Sequence, residues 1–337
     1  MKITAQDRIA LLSVIERFPQ QRVVLLGDLV ADEYIYGEIA RVSREAPVLI
    51  LKQREKQIVP GGGANAATNL AALGAHVILA GVVGEDEAGE ALLRWFREKQ
   101  VSTRLILRPR DYLTPTKSRI LGGLSHWQRQ QIVRVDREPV RPVTPQIRER
   151  LARRILPLLR SCAALLVSDY GYGATDARQV DFLRRKAGRR PLPIMVDSRF
   201  ELLSYKHLTA TAPNEPEVEI AFGQTIGNDL EKLHHLGRTL LRRQALQALL
   251  ITRGRDGMVL FEPRRAPCHL PIFGSDEAVD VTGAGDTVIA AFTLAVAAGA
   301  SFLHAAMLAN CAGGLVVMKR GTATVAAREI SEAIRNA

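Results

Sequence analysis

The chain has 337 residues, 47% of them hydrophobic, and carries a formal net charge of +11 with a pI near 9.9. Its apolar content supports a large buried core, in one α/β domain with an appendage or in two domains. The positive charge is scattered over helix faces, as at Arg148, Arg150, Arg153 and Arg154, with no basic tail or zinc-finger spacing, which argues against a nucleic-acid partner. Three unclustered cysteines, Cys162, Cys268 and Cys311, argue against a disulfide framework or a metal site and for a reducing compartment.

Residues 1–20 form an amphipathic helical pattern with no signal-peptide core. Residues 22–28, a short apolar run ending in a Gly27-Asp28 turn, predict a buried parallel strand. Similar runs follow at 77–81, 164–169, 193–197 and 248–252, and helical patterns at 64–73, 88–99, 144–159, 176–186 and 229–243 separate most of them. This alternation predicts a doubly wound, mostly parallel sheet flanked by helices, with ligands beyond the carboxyl ends of the strands. Asp28, Asp169, Asp197 and Thr252 fall at those ends, and Asp169 is counted among the acceptor contacts. Residues 34–59 and 116–135 break the alternation with polar/apolar ribbons, expected to form a small β lid over a single domain spanning 1–337.

Gly61-Gly62-Gly63-Ala64-Asn65 opens a helix. Its glycines would let a sugar approach the backbone, with Asn65 and Asp32 binding hydroxyls, although a dinucleotide turn would look much the same. Asn214 and Glu217, spaced N-x-x-E at a helix start, would face the cleft, or would form only a capping box. Thr252, Gly254 and Gly257 close a strand in a T-x-G-x-x-G turn, which would also suit a plain hairpin. Residues 287–318 lack any Asp, Glu, Lys or Arg, yet the longest apolar stretch is too short for a bilayer, and two buried helices explain it better.

The stretch Asp280-Val281-Thr282-Gly283-Ala284-Gly285-Asp286-Thr287 carries the chemistry. Gly283, Ala284 and Gly285 would direct backbone N–H groups outward at the positive end of a helix dipole, an anion site that needs no side chain. Asp286 beside that anion is expected to take a proton from a hydroxyl while a phosphoryl group moves. A glycine turn with an aspartate cap is the plainer alternative.

In this order, these motifs resemble the ribokinase-like (PfkB-type) sugar kinases, and the resemblance spans nearly the whole chain. It implies that Asp286 is the catalytic base, with Gly283, Ala284 and Gly285 as its anion hole. Asp32, Gly62, Gly63 and Asn65 would be sugar contacts. Asn214 and Glu217 would organise a water-mediated Mg²⁺ shell, and Thr252, Gly254, Gly257 and Asn310 would border ATP. Asp280 and Thr282, with carbonyls near Lys319, Gly321 and Thr324, would hold a monovalent cation such as K⁺. A narrower likeness, in Gly27-Asp28-Leu29 to Gly37, Arg41 to Val48, Val167 to Gly173 and Lys319 to Thr324, is to bacterial heptose-7-phosphate kinases. Those enzymes phosphorylate an anomeric hydroxyl for lipopolysaccharide core synthesis, and many continue into a nucleotidyltransferase domain, before which this sequence ends at Ala337. Where that group shows Asp-Pro-Lys, this chain has Asp197-Ser198-Arg199.

A sugar phosphate brings a dianion, for which Arg44, Lys117, Arg119, Arg134 and Arg199 are the candidates. A nucleoside acceptor would instead need a stacking aromatic, for which Trp127 and Tyr34 are available, and a catalytically silent sensor is a further alternative. The ribbons are expected to pair across two chains in a cytoplasmic homodimer with no membrane contact.

Overall fold

The structure is a computed structural model that describes residues 3–123, 130–188, 191–275 and 277–337. In chain order, α1 (Ala5–Glu16) precedes a 21-residue strand β1 (Arg22–Val42), β2 (Leu49–Gly62) and α2 (Gly63–Ala72). Then come β3 (His76–Val82), α3 (Glu87–Glu98), β4 (Ser102–Leu107), β5 (Thr116–Gly123), β6 (Gln130–Arg137) and α4 (Pro145–Ile155). The middle of the chain supplies β7 (Ala164–Asp169), α5 (Ala177–Lys186), β8 (Ile194–Ser198), β9 (Ala210–Thr211), α6 (Glu215–Phe222) and α7 (Leu230–Arg243). It ends with β10 (Ala248–Thr252), β11 (Met258–Phe261), β12 (Cys268–Leu270) and the helices α8 (Ala284–Ala297), α9 (Phe302–Val316) and α10 (Ala327–Asn336).

The core sheet runs β12-β11-β10-β9-β8-β7-β1-β3-β4, parallel except where β11 pairs with β10 and β12. Its continuous apolar strands are buried on both faces, as parallel strands between helix layers must be. Val23 and Leu25 of β1 face one core with α1, α2, α3, α8, α9 and α10, whereas Val24 and Leu26 face another with α4, α5, α6 and α7. Leu166 and Met195 join the first core, and Leu165, Val167, Ile194 and Val196 the second. Asp86, Thr144, Asp176 and Asp229 cap α3, α4, α5 and α7 by accepting from first-turn N–H groups. Among the described residues no helix is long and apolar enough to cross a membrane.

One expectation fails at the first strand. Gly27-Asp28 is not a turn: β1 continues unbroken into a second, outer sheet ordered β2-β1-β5-β6. Gly27 is needed instead because any side chain there would collide with the Ser168 carbonyl of neighbouring β7. In the outer sheet β1 pairs antiparallel with β2 and, over residues 31–38, parallel with β5. The register aligns Asp32 with Lys117 and Tyr34 with Arg119, and β6 sets Arg134 beside Arg119 and Asp136 beside Lys117. Side chains two apart share a face, so a charged row looks down on the carboxyl ends of the core strands, where Lys117, Arg119 and Arg134 line a cleft.

Candidate active site

Two cavities meet where α8 begins. One, of about 600 Å³, is polar and lies between the outer sheet and the ends of the core strands; Asp32, Gly62, Tyr170, Asp197, Glu217 and Asp286 are among its lining residues. The other, of about 380 Å³, is an apolar slot between the Thr252–Gly257 turn and helices α8 and α9, lined by Met258, Ile272, Val288 and Val317. Thr252, Gly254, Val281 and Gly285 border both.

Asp286 sits in the first turn of α8, buried, at this junction. Its Oδ2 accepts from Asn65 Nδ2 at 2.8 Å and its Oδ1 from the Tyr170 hydroxyl at 2.9 Å. Burial pushes its carboxyl up to about 7, against the pull of those two donors and with help from the Asp32 and Glu217 charges. A carboxylate so poised can take and return a proton near neutral pH. Gly283 begins the helix in a left-handed conformation, φ 76°. The Ala284 N–H donates to the Val281 carbonyl at 3.2 Å, which engages one of the three predicted anion-hole donors within the turn. A side chain at Gly285 would meet nothing within 4 Å, which leaves the helix end open to both cavities.

The other predicted residues divide into those brought to the cleft and those that are not. Asp32 lines it with one oxygen engaged by Arg119 at 2.6 Å, and Gly61 leaves room for the carboxylate. Gly62, at φ 53° and ψ −133°, opens the cleft wall as the glycine turn before α2. Asn65 and Gly63 stand behind it: Asn65 holds Asp286, and a side chain at Gly63 would press to 2.8 Å from the Asp28 carbonyl. Asp169 is not a cleft residue. Its carboxylate accepts from Ser198 Oγ at 2.9 Å, the Tyr205 hydroxyl at 2.7 Å and the Gly171 N–H at 3.0 Å, all on the far side of the strand. Ser198, where the heptose-kinase pattern has proline, thus supplies a hydroxyl that a proline lacks.

Asn214 and Glu217 do form the capping box of α6, each side chain accepting from the other's N–H, at 2.8 and 2.9 Å. Both also line the polar cleft, so the two readings of that motif coexist. Glu217 is pushed up by burial, only partly offset by the Asn214 N–H and Arg199. Asp197 is pushed far above the carboxylate range by burial, then by Glu217, Asp286 and Asp169. Carboxylates clustered so that Glu217, Asp286 and Asp169 all raise Asp197 suit a divalent cation. Among the described residues no three His, Cys, Asp or Glu side chains are grouped to hold one unaided, so phosphate oxygens and water would complete its shell.

Thr252, Gly254, Gly257 and Asn310 border the apolar slot, where Asn310 Nδ2 donates to the Pro271 carbonyl at 2.8 Å. Asp280 accepts from the Thr282 and Gly321 N–H groups, each at 2.9 Å. Burial alone would raise its carboxyl, but those donors hold it below the usual range, an anionic group at a loop crossing that fits a monovalent cation. The Thr324 carbonyl, however, is taken by the Lys319 ammonium at 2.7 Å. Of the candidate phosphate ligands, Arg119 is held by Asp32 and Arg134 by Asp136 at 2.9 Å, while Arg44 does not line the cleft. Lys117 lies 3.7 Å from Asp136, burial pulling its ammonium down, and Arg199 makes no ion pair among the described residues. Tyr34 has its ring under Arg119 and its hydroxyl 3.0 Å from Thr322 Oγ1; Trp127 lies outside the described residues.

Sequence reasoning missed Tyr170 as a partner of Asp286 and Gly314 as a slot residue. A helix-interior Gly313-Gly314 pair was the available signal, because glycine there costs about 1 kcal/mol against alanine unless something must approach closely; here it is the Phe273 carbonyl.

The model of the pfkB family of carbohydrate kinases matches residues 20–136 and 184–328. The chain belongs to that family. It is a carbohydrate kinase. It is 36% identical over 329 residues to a bifunctional protein HldE of Pelobacter propionicus, covering 97% of this chain and 66% of the relative. To the HldE of Pseudomonas syringae pv. syringae it is 38% identical over 320 residues, covering 95% and 65%. The chain thus spans about two thirds of the length of these relatives. Its fold is ribokinase-like: Arabidopsis thaliana ribokinase complexed with ribose and ATP superposes with a TM-score of 0.72 at 20% identity, over 94% of this chain and 98% of that one. Phosphofructokinase-2 of Escherichia coli in complex with potassium gives 0.75 at 15% identity with the same coverage.

Proposed function

We propose that this pfkB kinase transfers the γ-phosphoryl group of ATP to a hydroxyl of a phosphorylated sugar, with the anomeric hydroxyl of D-glycero-D-manno-heptose 7-phosphate as its acceptor. The observation that carries the reading is Asp286, a buried carboxylate near neutrality, at the point where a polar cleft meets an apolar slot. The slot takes the nucleoside beside Thr252, Gly254, Gly257 and Asn310, and the phosphates run toward the Gly283 and Gly285 N–H groups. The acceptor lies in the polar cleft by Asp32 and Gly62. Its hydroxyl oxygen attacks the γ-phosphorus, its proton passes to Asp286, and the bond to the bridging oxygen breaks to release ADP. Glu217, through water, and Asp197 would hold Mg²⁺, which supplies neutralisation of phosphate charge. Asp280 and Thr282 would hold K⁺ against the loop that ends in the anion hole.

The phosphorylated acceptor is supported by Lys117 and Arg199, which line the cleft; among the described residues Lys117 has its one ion-pair partner, Asp136, as far as 3.7 Å away and Arg199 has no ion pair. The heptose assignment is supported by the motif likeness around residues 27–48. We read the outer sheet as a lid whose exposed apolar residues, including Leu49, Val133 and Val135, pair with those of a second chain; light scattering at micromolar concentration is expected to give a dimer. ADP release measured with heptose 7-phosphate, fructose phosphates, ribose and adenosine tests the acceptor. A higher kcat/KM for ribose or adenosine would overturn the phosphorylated-sugar reading and leave the kinase standing.

A further inference from the structure

Tyr170 occupies a place that the transfer step leaves unexplained. Its loop leaves β7 and is tied down by Asp28, which is buried and accepts from the N–H groups of Tyr170 at 2.8 Å, Tyr172 at 3.0 Å and Ala174 at 2.9 Å. Asp169 takes the Gly171 N–H, so successive backbone donors of one loop are fixed to two carboxylates. A tyrosine on such a loop is aimed. The ring packs over Gly62, where an added side chain would come to 3.3 Å from its Cδ2.

The two donors on Asp286 differ in where they stand. Asn65, on Oδ2, is buried behind the cleft and is tied in turn to Asn69, whereas Tyr170, on Oδ1, is itself part of the cleft wall. A hydroxyl that is to pass its proton to Asp286 reaches the carboxylate from the cleft, where the tyrosine hydroxyl already sits. Burial, then the Asp286 charge, hold the Tyr170 phenol well above its usual range, so it donates throughout the neutral region and does not compete as a base. The remaining charged neighbours of Asp286, namely Asp32, Asp197 and Glu217, are carboxylates, which accept only when ionised, and Arg199, a donor, stands beside Asp197 and Glu217.

We propose that Tyr170 is a positioning residue that covers Asp286 on its cleft side, keeping water off the base until an acceptor hydroxyl takes over the hydrogen bond. Phosphoryl transfer is thereby made conditional on the sugar. The inference rests on the reading of Asp286 as the base. Without the tyrosine hydroxyl a water fits against Oδ1. Its oxygen attacks the γ-phosphorus, its proton goes to Asp286, the bond to the bridging oxygen breaks, and ADP and inorganic phosphate leave.

The test is acceptor-free ATP hydrolysis by the full chain with Mg²⁺, read as ADP and inorganic phosphate. Tyr170→Phe is expected to raise it at least about tenfold, within the reach of a general base acting on water. The rise should disappear in Tyr170→Phe/Asp286→Asn. Hydrolysis unchanged in Tyr170→Phe, or a rise that survives in the double variant, overturns the proposal. Should the phenylalanine variant not fold, 3-fluorotyrosine at 170 keeps the shape and strengthens the donor; it is expected to raise KM for heptose 7-phosphate several-fold over KM for ATP, and equal KM values would overturn the proposal. Full transfer activity in Asp286→Asn alone would instead remove the base reading itself.

Discussion

On the cleft floor Asp197, Asp286 and Glu217 lie among neutral donors and one another, whereas on the outer sheet Asp32 and Asp136 lie against arginines and a lysine. The same side-chain type is therefore put to two uses. On the floor, burial pushes Asp286 to about 7, so this group can exchange a proton under working conditions. On the sheet, opposite charges hold each other in register: the Arg119–Asp32 pair is largely buried, and the Arg134–Asp136 pair is partly open to water, where such pairs contribute little stability. In the proposed function the proton chemistry belongs to the floor, and the sheet closes the cleft above it.

The largest expected effect tests the floor. Asp286→Asn should lower kcat by about 10²–10⁴-fold, the worth of a general base, with nucleotide affinity within about twofold by calorimetry. Next, Arg199→Ala at the floor's rim should raise KM for the phosphorylated sugar by roughly 10–100-fold, the loss of a charge-assisted pair, and leave KM for ATP nearly unchanged. A pH profile comes third: with Asp286 at about 7, kcat/KM should fall about tenfold per unit as pH drops below that value. A limb nearer 4 would mean that the base is not the buried carboxylate. Arg134→Ala, paired to Asp136 in partial exposure, should change either KM by less than about threefold; a larger loss would move acceptor recognition onto the sheet. The smallest effect concerns stability. Because Asp286 is raised, the folded protein holds this proton more tightly than the unfolded chain, and ionising it as pH rises toward and past 7 removes stability. Asp286→Asn should therefore raise Tm by a few degrees at pH 8 relative to wild type and less at pH 5.

The alternation of apolar runs and helical patterns made the core legible, because parallel strands between helix layers cannot be written any other way. The glycine turn beginning α8 was equally legible, since backbone N–H groups, a small residue and a carboxylate leave few other uses. What the chain order concealed was pairing. Nothing in the sequence says that Arg119 will meet Asp32 across two strands, or that Asp169 will turn to Ser198 and Tyr205 and away from the cleft. Asn65 looked like a sugar ligand because amides bind hydroxyls, yet the nearest acceptor in three dimensions is Asp286, 221 positions along the chain. The short strands β9 and β12 carry too few residues to show a period.

The length of β1 has a mechanical meaning. Residues 22–28 are laced to β3 and residues 29–42 to β2, so no stretch of its 21 residues is left unpaired to serve as a pivot. The strand is a beam of about 70 Å at ~3.3 Å per residue, clamped in the core and carrying the charged row at its outer end. Such a beam bends along its length, most easily at the irregularities beside Gly37 and Arg41. It is also keyed: one extra residue inserted after Asp28 would turn Asp32 and Tyr34 to the opposite face of the outer sheet while the core strand stayed in place.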